Sequence, residues 1–329
     1  MKLLVAGCGR AMNMHMRSLK ELREVEVVAA CDVRVNQLTK ALRKWKIPQG
    51  FTRYEDMLKS LKAEAVLILT PPDQHFPLAL KALNHGLHVI CEKPLSQSLD
   101  EAKRLIDRAL KTGLHLLPVY NYAFTPSLLR LTDWIKRGEL GDVRGVKAFL
   151  GVNLSVFKPK TPYLLNSDED IIWDLLPHVV SVLRMLPVRV EGVLGVKTRR
   201  KRYRVVDEVE VDLKLKEGLA QIKLSWISLI PSFSLSLNCD HGGVEVEVFR
   251  KPYELILKRG GVKRKVKLPG KPSFLLFRMI RLWHPSFGNM YKHFAQVVDE
   301  GEKPFISPES ILEDLKVVYE AARLIHGAG

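Results

Sequence analysis

Val89-Ile90-Cys91-Glu92-Lys93-Pro94 is the stretch whose reading decides the fold. Its apolar half predicts a buried strand, which stops at a carboxylate, an ammonium and a ring that cannot continue a ladder. In an open α/β sheet, ligands bind beyond the carboxyl ends of the strands, so charges at such an end are candidates for chemistry.

Working outward, strand-like runs at 2–6, 25–31, 65–70, 88–91 and 114–119 alternate with helical patterns from Gly9 to about Leu22 and over 54–61, 75–84 and 99–111. Such alternation predicts an α/β fold with an N-terminal Rossmann domain, a doubly wound parallel sheet over residues 1–119. Gly7-Cys8-Gly9 follows the first strand. The two glycines permit a tight turn and close approach of a pyrophosphate, and the helix opened by Arg10, Ala11 and Met12 favours an anion at its N-terminus. Asp32 ends the second strand, 23 residues beyond Gly9. That spacing suits a carboxylate that accepts from an adenosine ribose and repels a 2′-phosphate, so NAD is expected over NADP, with Arg34 as the residue that speaks for NADP. Met12 stands where the fingerprint has its third glycine, which implies a helix standing slightly off or a pyrophosphate held less tightly. Ser98 and Glu101 read as a helix N-cap with its capping-box acid, and Gly86 as a C-cap.

Composition narrows the class. The 329 residues are 47% hydrophobic and 27% charged, enough for two domains with ordinary cores. The apolar run at the N-terminus is too short for a signal peptide and none elsewhere reaches a membrane helix, which predicts a cytoplasmic, soluble protein with no integral membrane segment. Cys8, Cys31, Cys91 and Cys239 show neither close pairing nor CxxC spacing, so they read as small buried hydrophobes, and no metal is inferred. The net charge of +16 is spread: residues 1–119 carry 19 Lys and Arg against 12 Asp and Glu, the rest 33 against 24. A generally basic surface fits anionic ligands better than a nucleic-acid arm, and only Tyr203 interleaves the basic runs 197–204 and 258–267, so no nucleic acid is expected. Those runs read as solvated sheet edges.

Beyond residue 119, Tyr120 to Pro126 reads as a turn, 127–136 as a helix and 145–152 as a strand. Asp174 and His178, four apart, share one helix face. From Arg189 to Phe249 strands dominate; Val209, Val211, Leu213 and Leu215 alternate with Glu210, Asp212 and Lys214, the pattern of a sheet covered on one side. This predicts a C-terminal α+β domain, residues 120–329, with an open, largely antiparallel sheet. The apolar, cationic segment 274–284 leaves two readings open, peripheral contact with an anionic membrane surface or packing as a subunit or lid helix.

Gly7-x-Gly9 with His15, Asp32, Thr70-Pro71-x-x-x-His75, Cys91-Glu92-Lys93-Pro94 and Asp174-x-x-x-His178 together resemble the Gfo/Idh/MocA family of oxidoreductases. The resemblance runs over nearly the whole chain and is weakest over 150–170 and 250–285. It implies an NAD-dependent dehydrogenase acting on a secondary alcohol or ketone of a polyol, cyclitol, sugar or nucleotide-sugar, and a homo-oligomer, dimer or tetramer. It implies Lys93, Asp174 and His178 as catalytic residues. Cofactor contacts are carried onto Gly7, Gly9, Arg10, Ala11, Met12, Asp32, Arg34, Thr70, Pro71, Pro72, His75, Glu92, Lys93 and Asn121, and a cis bond onto Lys93-Pro94. Three departures stand out: Met12, Ala123 where many members carry arginine, and the acids Asp168, Glu169 and Asp170 where members carry a glycine-rich turn. The acids read either as contacts for a cationic substrate or as a solvated run. The departures motivate a second reading, a catalytically idle NAD- or sugar-sensing regulatory protein on the same fold, against which the retained Lys93, Asp174 and His178 argue.

Overall fold

The computed structural model describes residues 1–96, 98–157, 165–168, 170–270 and 284–326. The chain forms two compact units, one of Met1–Val119 with Leu282–Leu312, the other of Tyr120–Arg281 with Glu313–Gly329. A single division at 119, as the sequence suggests, does not anticipate the return of 282–312 to the first unit.

In the first unit the strands are β1 (Lys2–Ala6), β2 (Glu26–Cys31), β3 (Gln49–Phe51), β4 (Ala65–Ile68), β5 (His88–Cys91) and β6 (Leu116–Pro118). They pair in parallel in the order β3-β2-β1-β4-β5-β6, the doubly wound order expected. Helices α1 (Arg10–Leu19), α2 (Val35–Trp45), α3 (Tyr54–Ser60), α4 (His75–Asn84) and α5 (Leu99–Thr112) connect them. Leu3, Leu4, Val5, Val66, Leu67, Val89 and Ile90 are fully buried, as the apolar runs of a sheet covered on both faces require. α5 begins on Ser98, whose hydroxyl accepts the Glu101 N–H, and ends on Gly113 with φ +68°, so the cap at its start is the one the sequence predicts.

The amino edge of this sheet carries a second cluster. His88 and His115 stack with centroids 5.0 Å apart, and His88 Nδ1 accepts the His115 N–H at 2.9 Å. Burial first, then the neighbouring His115, pushes His88 down to about 4. A histidine depressed below its unfolded value contributes stability that is complete above about pH 6.5 and is lost as pH falls towards the folded value. The urea midpoint is therefore expected to drop between pH 6.5 and 4, and less steeply in His88→Asn, whose side-chain carbonyl keeps the acceptor; an equal slope in both proteins would refute the assignment.

The second unit is built on eight strands: β7 (Val143–Asn153), β8 (Val190–Arg199), β9 (Glu208–Leu215), β10 (Gly218–Ser225), β11 (Ile227–Cys239), β12 (Gly242–Glu247), β13 (Glu254–Arg259) and β14 (Val262–Lys267). Their order is β14-β13-β12-β11-β7-β10-β9-β8, antiparallel except for β7 with β10. The alternation in β9 puts Val209, Val211, Leu213 and Leu215 in the core. With Trp226 and Phe233 they belong to the same core as Ile171, Ile172, Leu176 and Val179 of α8 (Asp170–Met185), which follows α6 (Pro126–Lys136) and the single turn α7 (Leu154–Phe157). The run 258–267 becomes the hairpin β13–β14, turned through Gly260 and Gly261, both at positive φ as a two-residue hairpin turn demands. Basic residues thus populate both edge strands, β14 and the end of β8, where like charge opposes pairing with another sheet edge. A helix α9 (Pro285–Glu300) belongs to the first unit, and a last helix, α10, spans Pro308–His326. Segment 274–284, apart from His284, and Glu169 lie outside the described residues. No described helix is long and apolar enough to cross a membrane.

Candidate active site

The carboxyl edge of the first sheet gathers most of the predicted cofactor residues by register alone. Ala6 pairs with Cys31 and with Ile68, and Ile68 pairs with Cys91. The residues that follow these strand ends, Gly7, Asp32 and Glu92, therefore lie along one edge. Gly7 has φ +99°, and a Cβ there would stand 2.8 Å from the carbonyl carbon and oxygen of Leu69. The turn needs glycine twice over, for its backbone conformation and for the neighbouring loop. Beside Gly9, by contrast, a Cβ would meet nothing within 4 Å. Gly9 is the N-cap of α1, with no side-chain cap and no acid in the first turn, so the positive end of the helix is not offset by a carboxylate of its own first turn.

Asp32 is nearly buried. Its Oδ2 accepts the Cys8 N–H at 2.9 Å and its Oδ1 accepts the N–H of Arg34 at 2.9 Å, with Arg34 Nε at 3.3 Å. The carboxylate is thereby tied to the glycine loop and keeps lone pairs for a ribose hydroxyl. The Arg34 side chain, 61% exposed, is drawn to Asp32. Burial, then Asp32, pushes the Cys8 thiol up to about 12, so it remains a thiol. Met12 is buried on the core face of α1. Thr70, after β4, carries a buried hydroxyl with no hydrogen-bond partner among the described residues. Open space at Gly9, a helix start without an acid in its first turn and an orphaned hydroxyl on one edge fit a dinucleotide.

His75 opens α4, with Nδ1 2.7 Å from the Pro94 carbonyl and Nε2 2.9 Å from that of Thr70. It links the loop after β4 to that after β5, at the edge where the resemblance implies cofactor contact. The Lys93-Pro94 bond is cis, as the resemblance implies. Glu92 Oε2 accepts the Lys93 N–H at 3.1 Å, and Glu92 Oε1 lies 2.9 Å from His15 Nε2.

The second unit supplies Asp174 and His178, one turn apart on α8. Pro177 between them has no N–H, so the Trp173 carbonyl loses its helical partner next to Asp174. Asp174 Oδ2 accepts the indole N–H of Trp226 at 3.0 Å. Trp226 is fully buried where β10 passes into β11, and a buried indole needs an acceptor. Sequence reasoning missed it; Ser225-Trp226 at a strand exit is the signal that could have marked it. His178 packs edge-on to Tyr122, centroids 5.0 Å apart, and Tyr122 in turn abuts Phe233 and Phe249. Asn121 and Ala123 are both buried in the short turn of helix Asn121–Phe124, so a cation at 123 would have to displace core.

Of the acids at the start of α8, the two described ones, Asp168 and Asp170, are neither merely solvated nor free for a cation. Asp170 Oδ2 accepts the N–H groups of Asn166 and Ser167 at 3.0 and 2.8 Å, and Asp168 Oδ1 accepts the Val206 N–H at 2.8 Å while pairing with Arg200. They build the turn that glycines would otherwise build. Lys93 belongs to one unit and Asp174 with His178 to the other, so each half of the predicted catalytic set has its own support.

Known proteins resemble this chain in both of its units. A family model described as an oxidoreductase family with an NAD-binding Rossmann fold matches residues 1–120, and the GFO/IDH/MocA C-terminal domain matches residues 128–245. Mouse trans-1,2-dihydrobenzene-1,2-diol dehydrogenase is 30% identical over 163 residues, 50% of this chain and 48% of that protein. Inositol 2-dehydrogenase of Salmonella paratyphi B is 28% identical over 189 residues, 56% of this chain and 54% of its own. The chain thus spans about half the length of the curated relatives it matches. Among solved structures, an oxidoreductase from Agrobacterium radiobacter in complex with NAD+, L-tartaric acid and magnesium superposes with a TM-score of 0.88 at 18% identity, over 100% of this chain and 97% of that one, a likeness of fold.

Proposed function

The chain belongs to the GFO/IDH/MocA family of oxidoreductases, and from that premise we propose that it transfers a hydride between NAD and a secondary alcohol or ketone of a polyol, cyclitol, sugar or nucleotide-sugar. The observation that carries this reading is the carboxyl edge of the first sheet. There Gly7, Asp32 and Glu92-Lys93 follow strand ends held in register, which supports residues 1–119, joined by 282–312, as the NAD domain and the remainder of 120–329 as the substrate domain. Asp32 favours NAD over NADP, because a 2′-phosphate would meet its carboxylate.

NAD, when bound, supplies the hydride acceptor. The chain's own residues must bind the substrate oxygen and move one proton. His178 takes the hydroxyl proton, since imidazole ordinarily titrates near neutrality. Lys93, as an ammonium, orients and polarises the oxygen. Asp174, fixed by the Trp226 indole, balances the charge gained by His178. A ring bearing vicinal hydroxyls is the substrate class that the names of the diol and inositol relatives support. A homo-oligomer, dimer or tetramer, and a cytoplasmic location belong to the same proposal; exposed Leu229 and Ile230 on β11 support the former.

The test is absorbance of reduced nicotinamide when the protein and NAD meet a panel of cyclitols, sugars and nucleotide-sugars. Turnover is expected with some members of the panel. Tight NAD binding with no turnover on any member would overturn the dehydrogenase reading.

A further inference from the structure

Three polar side chains of the first unit are joined end to end, and the reaction proposed above calls on none of them. Tyr291 of α9 and His15 of α1 are fully buried, and the Glu92 side chain is 18% exposed. The Tyr291 hydroxyl meets His15 Nδ1, His15 Nε2 lies 2.9 Å from Glu92 Oε1, and Glu92 Oε2 accepts the Lys93 N–H. Phe287 closes on the imidazole edge-to-face, centroids 4.9 Å apart.

A carboxylate can only accept, so the proton of a neutral His15 sits on Nε2 and Nδ1 accepts from the tyrosine O–H. Each member orients the next. Packing alone does not ask for this: phenylalanine at 291 and leucine at 15 would fill similar volume without burying a hydroxyl and an imidazole, which are costly unless satisfied. The series also ends on the backbone of the residue placed at the reacting oxygen.

We propose that Tyr291 and His15 are positioning residues for hydride transfer: through Glu92, which they hold as a carboxylate in one rotamer, they set the position and charge surroundings of Lys93. The role given to Lys93 rests on the dehydrogenase reading; the effect on Glu92 does not. The titratable groups facing Glu92 are His15 from α1, Tyr291 from α9, His75 from α4, and its neighbours Cys91 and Lys93. Burial pushes the Glu92 carboxyl up, but the His15 hydrogen bond and the charge of Lys93 outweigh it and hold it at about 2. With the series broken, the Glu92 carboxylate is no longer held in one rotamer against the Lys93 backbone, and Lys93 loses the fixed negative charge beside it.

The experiment follows Lys93 itself in the full chain with NAD bound, through the 13Cε resonance of labelled lysine that disappears in Lys93→Arg. In His15→Leu its titration midpoint is expected to fall by about one pH unit, the size of effect an adjacent opposite charge exerts. Tyr291→Phe should move it less. His15→Gln, whose amide can again donate to Glu92, should restore most of it. With a substrate in hand, the alkaline limb of kcat moves by the same amount while the Kd for NAD stays within about twofold. An unchanged midpoint in both His15→Leu and Tyr291→Phe, with circular dichroism showing both folded, overturns the proposal. Should His15→Leu fail to fold, Tyr291→Phe decides, since it removes a single oxygen. Lack of turnover by the wild type sinks the dehydrogenase reading, whereas the Lys93 titration still decides for or against the coupling through Glu92.

Discussion

Lys93→Ala is expected to lower kcat by roughly 10²-fold or more while NAD still binds. β5 ends at Cys91 in register with β4, and Pro94, whose ring cannot continue a ladder, follows directly on Lys93. The ammonium is therefore presented from a short, braced loop, with Glu92 held by His15 and the Pro94 carbonyl held by His75. Truncation to alanine leaves that bracing in place and removes only the cation, so the loss should appear in kcat with little change in cofactor affinity. On the proposed mechanism His178→Ala should fall by a similar factor, because His178 is the group proposed to take the proton. Stopped-flow absorbance for turnover and nicotinamide fluorescence for binding separate the two quantities. Near-wild-type turnover in both variants would sink the assignment.

Gly7→Ala is the second large effect, and it acts on folding and binding together. A Cβ at φ +99° with the Leu69 carbonyl group 2.8 Å away has no flexible neighbour to push aside. A strained backbone of this kind costs about 1–3 kcal/mol before the collision is counted. Urea unfolding should show at least that loss, and NAD affinity should fall as the loop withdraws. Gly9→Ala is the control: its φ is −76° and the space is open, so stability should stay within about 1 kcal/mol of wild type while NAD binding still weakens. Equal stability of Gly7→Ala and wild type would refute the close approach.

The edge of the cofactor sheet was legible because it is written in consecutive residues. An apolar run, a glycine turn or a terminal carboxylate needs no partner from elsewhere to be read. Helix α2 was legible but not read: Leu38, Ala41, Leu42 and Trp45 have helical spacing, masked by the cations between them. β3, three residues long, gives too little periodicity to detect. The partners of the buried polar groups were not legible at all. Nothing near His15 names Tyr291, 276 residues away, and nothing near Asp174 names Trp226, because such pairs exist only once the fold has brought them together. For the same reason the acids at the start of α8 read either as substrate contacts or as a solvated run, although Asp168 finds the Val206 N–H across 38 residues of sequence.

That the first unit draws on 282–312 bears on how the protein is made. β1 to β6 leave the ribosome early, yet Tyr291 is synthesised only when most of the 329 residues have been joined. A fragment ending at Val119 contains every strand of the parallel sheet but leaves the imidazole of His15 without the hydroxyl that donates to it. Strand alternation marks where the sheet ends; the unit itself closes only when the far end of the chain returns to it, so the nascent protein can acquire its sheet long before it acquires the completed site.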